Sequence, residues 1–164
     1  MSNRLFSALA VIAVLGLASC GGPPSTVHFI RKADMSGMYE IAAGKIASEK
    51  GKSEAVRQFG RQMVEAHGKM AEALKSVVKG EKLDDKLRSK LDRKYQRMID
   101  RLNAAPPQDF DAAYAAQQVN VHRKTAELFD AYAEEGENEA FKQFAANVLP
   151  TINQHLDDAK KLAR

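Results

Sequence analysis

Apolar residues recur every three to four positions along most of this chain, which is the spacing of one face of an α-helix. The pattern predicts four long helices over about 29–50, 54–79, 110–134 and 139–162, and a shorter amphipathic helix over 83–102. Gly51, Gly80 and Gly136 fall where long periodic segments end, as helix-terminating glycines do. Ser53, Asp109 and Asn138 precede the next segments and are predicted N-caps. No segment alternates in the manner of a β-strand.

None of the four long segments can bury its apolar stripe alone, so the pattern predicts an all-α, antiparallel four-helix bundle. The segment Leu83–Leu102 is predicted to be an amphipathic crossover helix lying on that bundle. Gly37 and Gly44 lie on the inner stripe of the first helix and predict a close approach to a neighbouring helix. Both a simple up-and-down path and a long crossover fit the pattern.

Four polar residues lie on or beside the apolar stripes, one on each long helix: Glu40, His67, His122 and His155. At about 1.5 Å per residue, all four are expected near mid-helix, spread over roughly 10–14 Å along the bundle axis. An up-and-down path would bring His67 level with His122. A long crossover would bring Glu40 level with His122 instead.

Imidazoles and one carboxylate inside a bundle are good ligands for zinc, copper or iron, so one interpretation is a metal site. The other is that the histidines bond to backbone or to polar side chains on the stripes, namely Tyr39, Tyr114, Tyr132 or Gln118, and fix helix register. Glu65, two residues before His67, is a candidate to orient that ring.

Catalysis is not favoured by the sequence. The di-iron carboxylate template needs four inward carboxylates and two Glu-x-x-His motifs, whereas Val119 and Ile152 stand three residues before His122 and His155. No arrangement of a nucleophile with its base is visible either. We therefore expect a non-enzymatic protein with no catalytic residues.

The charges alter this picture little. The chain carries 25 Lys and Arg against 21 Asp and Glu, a net charge of +4, and it has no Trp. The two signs are interspersed, which is typical of a solvated helical surface rather than a nucleic-acid interface. The basic residues of Leu83–Leu102 could touch anionic lipid, but interleaved aspartates favour a solvated face.

The amino terminus predicts export. Met1 to Arg4 is basic, Leu5 to Leu17 is apolar, and small residues follow, as in a secretory signal. The run is shorter than the roughly 20 residues that span a bilayer, so a membrane anchor is disfavoured. Ordinary secretion would leave one free thiol in an oxidising compartment.

Leu17-Ala18-Ser19-Cys20 resembles the lipobox of bacterial lipoproteins. The resemblance implies cleavage before Cys20, lipid on its thiol, and contact with the membrane through that lipid. The predicted organisation is a signal peptide over 1–19, a lipidated tether over 20–28 and a bundle over 29–164. Gly21, in place of Asp, implies an outer-membrane lipoprotein facing the periplasm.

Several separated motifs resemble a bacterial ferritin-like domain family of unknown function, often labelled "predicted outer membrane protein". They are Glu40 with Gly44-Lys45-Ile46-Ala47, Val56-x-x-Phe59-x-x-x-Met63-Val64-x-x-His67, Phe110-Asp111-x-x-Tyr114 with His122, and Phe144-Ala145 with Leu149-Pro150 and His155-Leu156. The resemblance covers about 29–162. It implies a ferritin-like bundle and maps the family's recurring Glu and His positions onto Glu40, His67, His122 and His155.

Two functions fit these observations. The first is a lipid-anchored envelope module acting through binding or structural contacts with an unknown partner. The second is a metal-binding or metal-handling bundle using Glu40, His67, His122 and His155. Where the family usually has Asp before its first histidine this chain has Ala66, which weakens a supporting role for Glu65.

Overall fold

The computed structural model describes residues 24–164, so the predictions for the signal peptide and Cys20 lie outside the described residues. This part of the chain is all-α and contains no strand, as the hydrophobic pattern predicts. Its helices are α1 (Thr26–Lys50), α2 (Glu54–Gly80), α3 (Arg93–Ala104), α4 (Phe110–Glu135) and α5 (Glu139–Leu162). Helix α1 begins three residues before the predicted start, so His28 belongs to its first turn rather than to a tether.

Hydrogen bonds between helix ends show the path of the chain. Thr26 Oγ1 and Tyr132 Oη are 2.7 Å apart, which joins the start of α1 to the end of α4. Asp111 accepts the backbone N–H groups of Lys52 and Ser53, which joins the start of α2 to the start of α4. Residues 81–109 therefore carry the chain back along the bundle, and the helices run up, down, down and up.

In this arrangement α1 packs against α2 and α4, and α5 packs against the same two helices. Helix α3 lies across α1 and α4. One long crossover is a standard way of connecting four bundled helices. No helix within residues 24–164 combines the length and the apolarity that crossing a membrane requires.

The predicted crossover helix over 83–102 is wrong in its first half. Only Asp84–Lys86 forms a 3₁₀ turn, and helix α3 begins at Arg93. Lys82 has a left-handed φ of 58°, which interrupts any continuation from α2. Asp92 caps α3 by accepting the Tyr95 N–H, and a capping residue has an extended rather than a helical backbone.

Two of the three predicted N-caps are confirmed. The side chains of Ser53 and Asn138 accept the N–H groups of Val56 and Phe141 at 3.2 Å. The prediction for Asp109 is wrong, because its backbone is helical, at φ −102° and ψ −10°, and its side chain makes no capping bond. The neighbouring Asp111 instead binds the turn between α1 and α2.

The glycines of α1 differ from each other. A Cβ atom added at Gly44 would lie 2.6 Å from the Gly60 carbonyl oxygen, so α1 and α2 approach closely there, as predicted. The same prediction is wrong for Gly37, where an added Cβ would meet nothing within 4 Å.

The core of residues 24–164 consists of two apolar clusters. The proximal cluster, at the end where α1 begins, includes Phe29, Ile30, Leu74, Phe129, Tyr132 and Phe141. The distal cluster, where α2 and α4 begin, includes Ala47, Val56, Phe59, Leu102, Phe110 and Tyr114. Between them lies a set of buried polar residues, here called the polar layer: Glu40, His67, Gln118, His122 and His155.

Candidate metal centre

Each of the four long helices contributes at least one side chain to the polar layer. Measured from the end where α1 and α5 begin, its acidic and histidine residues lie about 13 to 16 residues along their helices, within about 5 Å of one height. The predicted axial spread of 10–14 Å is therefore wrong. The long crossover and the earlier start of α1 bring the four positions level.

The three histidines form a compact triangle. One ring nitrogen from each of His67, His122 and His155 lies within 4.8 Å of the others. The three ring centroids are 5.5 Å apart in every pair. All three residues are at most 4 % exposed, so the cluster is shielded from bulk water.

The orientation of the His122 ring follows from its hydrogen bond. Its Nδ1 lies 3.1 Å from the backbone oxygen of Gln118, one turn earlier in α4. A carbonyl oxygen can only accept, so Nδ1 carries the proton and Nε2 carries a free lone pair. That lone pair faces His67, whose Nε2 is 3.4 Å away.

Glu40 lies beside the triangle rather than in it, near the His122 nitrogen that points away from His67. Its Oε1 lies 3.7 Å from His122 Nδ1, and the residue is 1 % exposed. Neither carboxyl oxygen has a hydrogen-bond partner among residues 24–164. A long crossover was expected to bring Glu40 level with His122, and the structure confirms that consequence.

Burial makes the whole layer uncharged near neutral pH. It raises the pKa of Glu40 from 4.5 to about 8, and the nearby Gln118 amide offsets only part of the rise. It lowers the pKa of His122 to about 4, with His155 adding to the effect. The pKa of His67 falls well below 6.5 because of burial and its two histidine neighbours. Burial also lowers the pKa of His155.

The surroundings of the triangle are mostly apolar. The Phe59 ring lies edge-on to His122 and His155, with centroids 6.5 Å away. A cavity of about 30 Å³ adjoins His67 on the proximal side and is lined by Met70, Leu74 and Phe144 among others. An apolar environment limits the access of water to the three ring nitrogens.

The alternative in which polar neighbours satisfy the histidines holds only in part. His122 bonds to backbone, but Tyr39 Oη bonds to Gln117 and Tyr132 Oη to Thr26. His155 Nδ1, Tyr114 Oη and both side-chain amide atoms of Gln118 have no partner in the described chain. The layer therefore holds more polar atoms than its own hydrogen bonds can use.

Glu65 does not belong to this site. Its exposed carboxylate lies 2.6 Å from Lys69 Nζ on the surface of α2, so the prediction that it orients His67 is wrong. The residue that orients a ring is Gln118, through its backbone carbonyl. Its place one helical turn before His122 is the signal that could have identified it.

Comparison with known proteins gives one result. Residues 18–162 match the family described as Domain of unknown function (DUF4142). Neither a search of curated proteins nor a search of solved structures finds a significant match. Because the match spans nearly the whole sequence, the chain belongs to the DUF4142 family of domains of unknown function.

Proposed function

We propose that this protein is a metal-binding bundle that holds one transition-metal ion between His67, His122 and His155, with Glu40 as the adjacent carboxylate. The observation that carries the proposal is the triangle of ring nitrogens within 4.8 Å, built from three separate helices. Zinc, copper and iron are the candidate ions, because imidazole nitrogen suits all three.

The distance between two of the ring nitrogens matches the distance between two ligands of one metal ion. Two nitrogens at 2.0–2.1 Å from a tetrahedral ion lie about 3.3–3.4 Å apart. His67 Nε2 and His122 Nε2 are 3.4 Å apart. The pair is thus spaced as neighbouring ligands of one ion.

The hydrogen bonding of His122 also supports the proposal. A metal-ligating histidine usually donates its second ring N–H to a carbonyl or carboxylate, which fixes the tautomer. His122 does so to the Gln118 carbonyl, and its Nε2 is left as a lone-pair acceptor inside the triangle, 3.4 Å from His67 Nε2. The ring needs no rearrangement to serve as a ligand.

Glu40 supplies the charge that a buried cation requires. Its oxygens have no hydrogen-bond partner within residues 24–164, and an unpaired buried carboxyl is costly unless something binds it. Loss of its proton on metal binding would place one negative charge near the His122 Nδ1–H, where it would act on the ion through that ring rather than as a ligand. The residues present therefore fit a nitrogen-rich transition-metal site rather than one for calcium or magnesium.

We infer metal holding or handling rather than catalysis. The layer contains one carboxylate, whereas di-iron oxidation chemistry uses four. The four residues are at most 4 % exposed, so a substrate has no open approach to them.

We further infer that the bundle is ferritin-like and is carried by an outer-membrane lipoprotein anchored through Cys20 and facing the periplasm. Support comes from the single long crossover and from the lipobox-like sequence before Cys20. A binding or structural role in the envelope is compatible with the metal site, which would then stabilise the module.

Metal analysis of the full-length chain, purified without a histidine tag, tests the proposal. We expect about one ion per chain after exposure to zinc, copper or iron and removal of excess metal. Saturation at a hundred times Kd should raise the free energy of unfolding by about 2.7 kcal/mol.

The histidines offer matched variants. His67→Gln and His155→Gln should lose the ion and the gain in stability. His28→Gln should retain both, because His28 is exposed on the outside of α1. Absence of bound metal with all three ions, together with unchanged melting, would overturn the proposal. So would equal metal binding by His28→Gln and His67→Gln.

A further inference from the structure

A separate feature, a surface cleft, lies on the outside of the bundle, away from the histidine triangle. A cleft of about 650 Å³ lies between α1, residues 88–92, the start of α3, and α4. Its volume falls within the 300–1,000 Å³ typical of small-molecule pockets. Nothing proposed for the polar layer depends on it.

The rim of this cleft is cationic. Six exposed basic side chains surround it: Arg31, Lys32, Arg88, Lys90, Lys94 and Lys124. None of the six is in an ion pair with any residue from 24 to 164. Within the described chain, Asp92 is the one acidic residue that lines the cleft, so six cations face one carboxylate and the rim favours an anionic ligand.

The acidic residues near the rim are already engaged. Asp92 accepts the Tyr95 N–H, and Asp34 accepts the Arg88 N–H at 2.6 Å. Asp85, which lies near Arg31, is paired with Lys86. A smaller cleft of about 310 Å³ continues past Lys94 and adds Arg97 and Arg101. Lys94 lines both clefts, so basic residues extend from one to the other.

The floor of the cleft is different in kind. Met35, Leu91 and Leu128 line it, together with Ser36 and Thr125. Met35, Ser36 and Thr125 are at most 8 % exposed. An apolar floor under a cationic rim matches a molecule with an anionic head and an apolar body, and a bare inorganic anion would leave the floor unused.

We propose that this cleft binds a small phosphate-bearing amphiphile, with its phosphate among the rim cations and its apolar group on the floor. A phosphomonoester carries about two negative charges and three acceptor oxygens at neutral pH, which suits several cations better than a single carboxylate does. Arginine and lysine together bind phosphate through planar and point-charge donors.

Titration calorimetry with the full-length chain tests this assignment. The probe is phosphatidic acid with six-carbon acyl chains, used below its micelle concentration. Phosphatidylcholine with the same chains and inorganic phosphate serve as comparisons. We expect phosphatidic acid to bind at least tenfold more tightly than either, and to weaken as salt screens the rim.

Matched variants separate the cleft from general surface charge. Lys32→Gln with Lys124→Gln removes two rim cations, and affinity should fall about tenfold or more. Lys45→Gln with Lys79→Gln removes two exposed lysines outside both clefts and should leave affinity unchanged. His67→Gln should also bind phosphatidic acid normally, which keeps this result independent of the metal proposal.

Three outcomes would overturn the assignment. They are equal loss of affinity in both double variants, equal binding of the two lipids, and no binding of the monomeric lipid. A separate experiment uses vesicles of phosphatidylcholine with and without phosphatidylglycerol. Binding to anionic vesicles without binding of monomeric phosphatidic acid would assign the charge to a membrane surface and reject the pocket.

Discussion

The proximal cluster and the polar layer are both buried, but the cluster is packed with aromatic rings and the layer contains polar atoms without partners. In the cluster the Phe29 ring stacks on Tyr132, with centroids 4.1 Å apart, and meets Phe129 edge-on at 5.0 Å. The one polar atom of note, Tyr132 Oη, is bonded to Thr26. In the layer, five buried polar atoms have no partner in the described chain.

The cluster therefore stabilises the fold, whereas the layer provides the side chains of the candidate metal site. Aromatic packing in the cluster stabilises the bundle by burying apolar surface. Each unsatisfied polar group of the layer costs about 1–3 kcal/mol. Apolar residues at the same positions would fold more stably, so the layer works against stability until a ligand engages its free atoms.

The largest expected effect is the loss of a proximal ring. Phe29→Ala should lower the free energy of unfolding by about 3–5 kcal/mol, because Phe29 is fully buried and contacts four aromatic rings. Denaturant unfolding with a chelator present measures this. The folded fraction should still bind one zinc ion per chain. Loss of zinc binding by fully folded Phe29→Ala protein would show that the two regions are not separable.

The pH dependence of the metal-free protein gives the next effect. The pKa of Glu40 is raised from 4.5 to about 8 in the fold, so the folded state holds a proton that the unfolded chain releases. Its contribution to stability is complete below pH 4.5 and is lost as pH rises towards 8. The slope is at most about 1.4 kcal/mol for each pH unit.

The histidines act in the opposite direction. Their lowered pKa values mean that the unfolded chain binds more protons, so stability falls as pH drops below 6.5. Glu40→Gln isolates the carboxyl term, because the histidine slope remains in both proteins. We expect the wild type to lose stability relative to Glu40→Gln between pH 4.5 and 8. Parallel curves would mean that Glu40 is ionised in the fold.

Apolar replacement in the layer should have a sign opposite to that in the cluster. Glu40→Leu removes two unpartnered oxygens at similar volume, so the metal-free protein should gain about 1–3 kcal/mol at pH 5, where the cost of protonating Glu40 is small. The same variant should bind zinc less tightly than the wild type. A loss of stability would indicate that the carboxyl is already satisfied in the fold.

The proximal and distal clusters were predictable from the sequence, whereas the helix path was not. Phe129 and Tyr132 on α4, like Phe141 and Phe144 on α5, are spaced as one face of a helix, and that periodicity identifies an inner face in any bundle. The return through residues 81–109 is seen in the contact of Asp111 with Lys52 and Ser53. Periodicity carries no information on such contacts between distant segments, which is why both paths fitted the pattern.

The candidate site was identified by residue type but not by geometry. Polar residues on an apolar stripe single out Glu40, His67, His122 and His155 without a structure. Their common height depends on helix starts and on the crossover, so small errors at each end added up to a false spread along the axis. The loop before α3 was missed because Leu87 and Leu91 pack on the core from non-helical backbone at helical spacing.

The smallest expected effect lies beside the polar layer. A Cβ at Gly37 would meet nothing within 4 Å, so Gly37→Ala adds no clash and removes the entropy cost of a mid-helix glycine. We expect a gain of about 0.5–1 kcal/mol with metal binding unchanged. Gly44→Ala is the contrast, because its Cβ would lie 2.6 Å from the Gly60 oxygen, and it should lower stability. If both substitutions stabilise the protein, α1 and α2 can separate at Gly44, and their close approach there is not needed for stability.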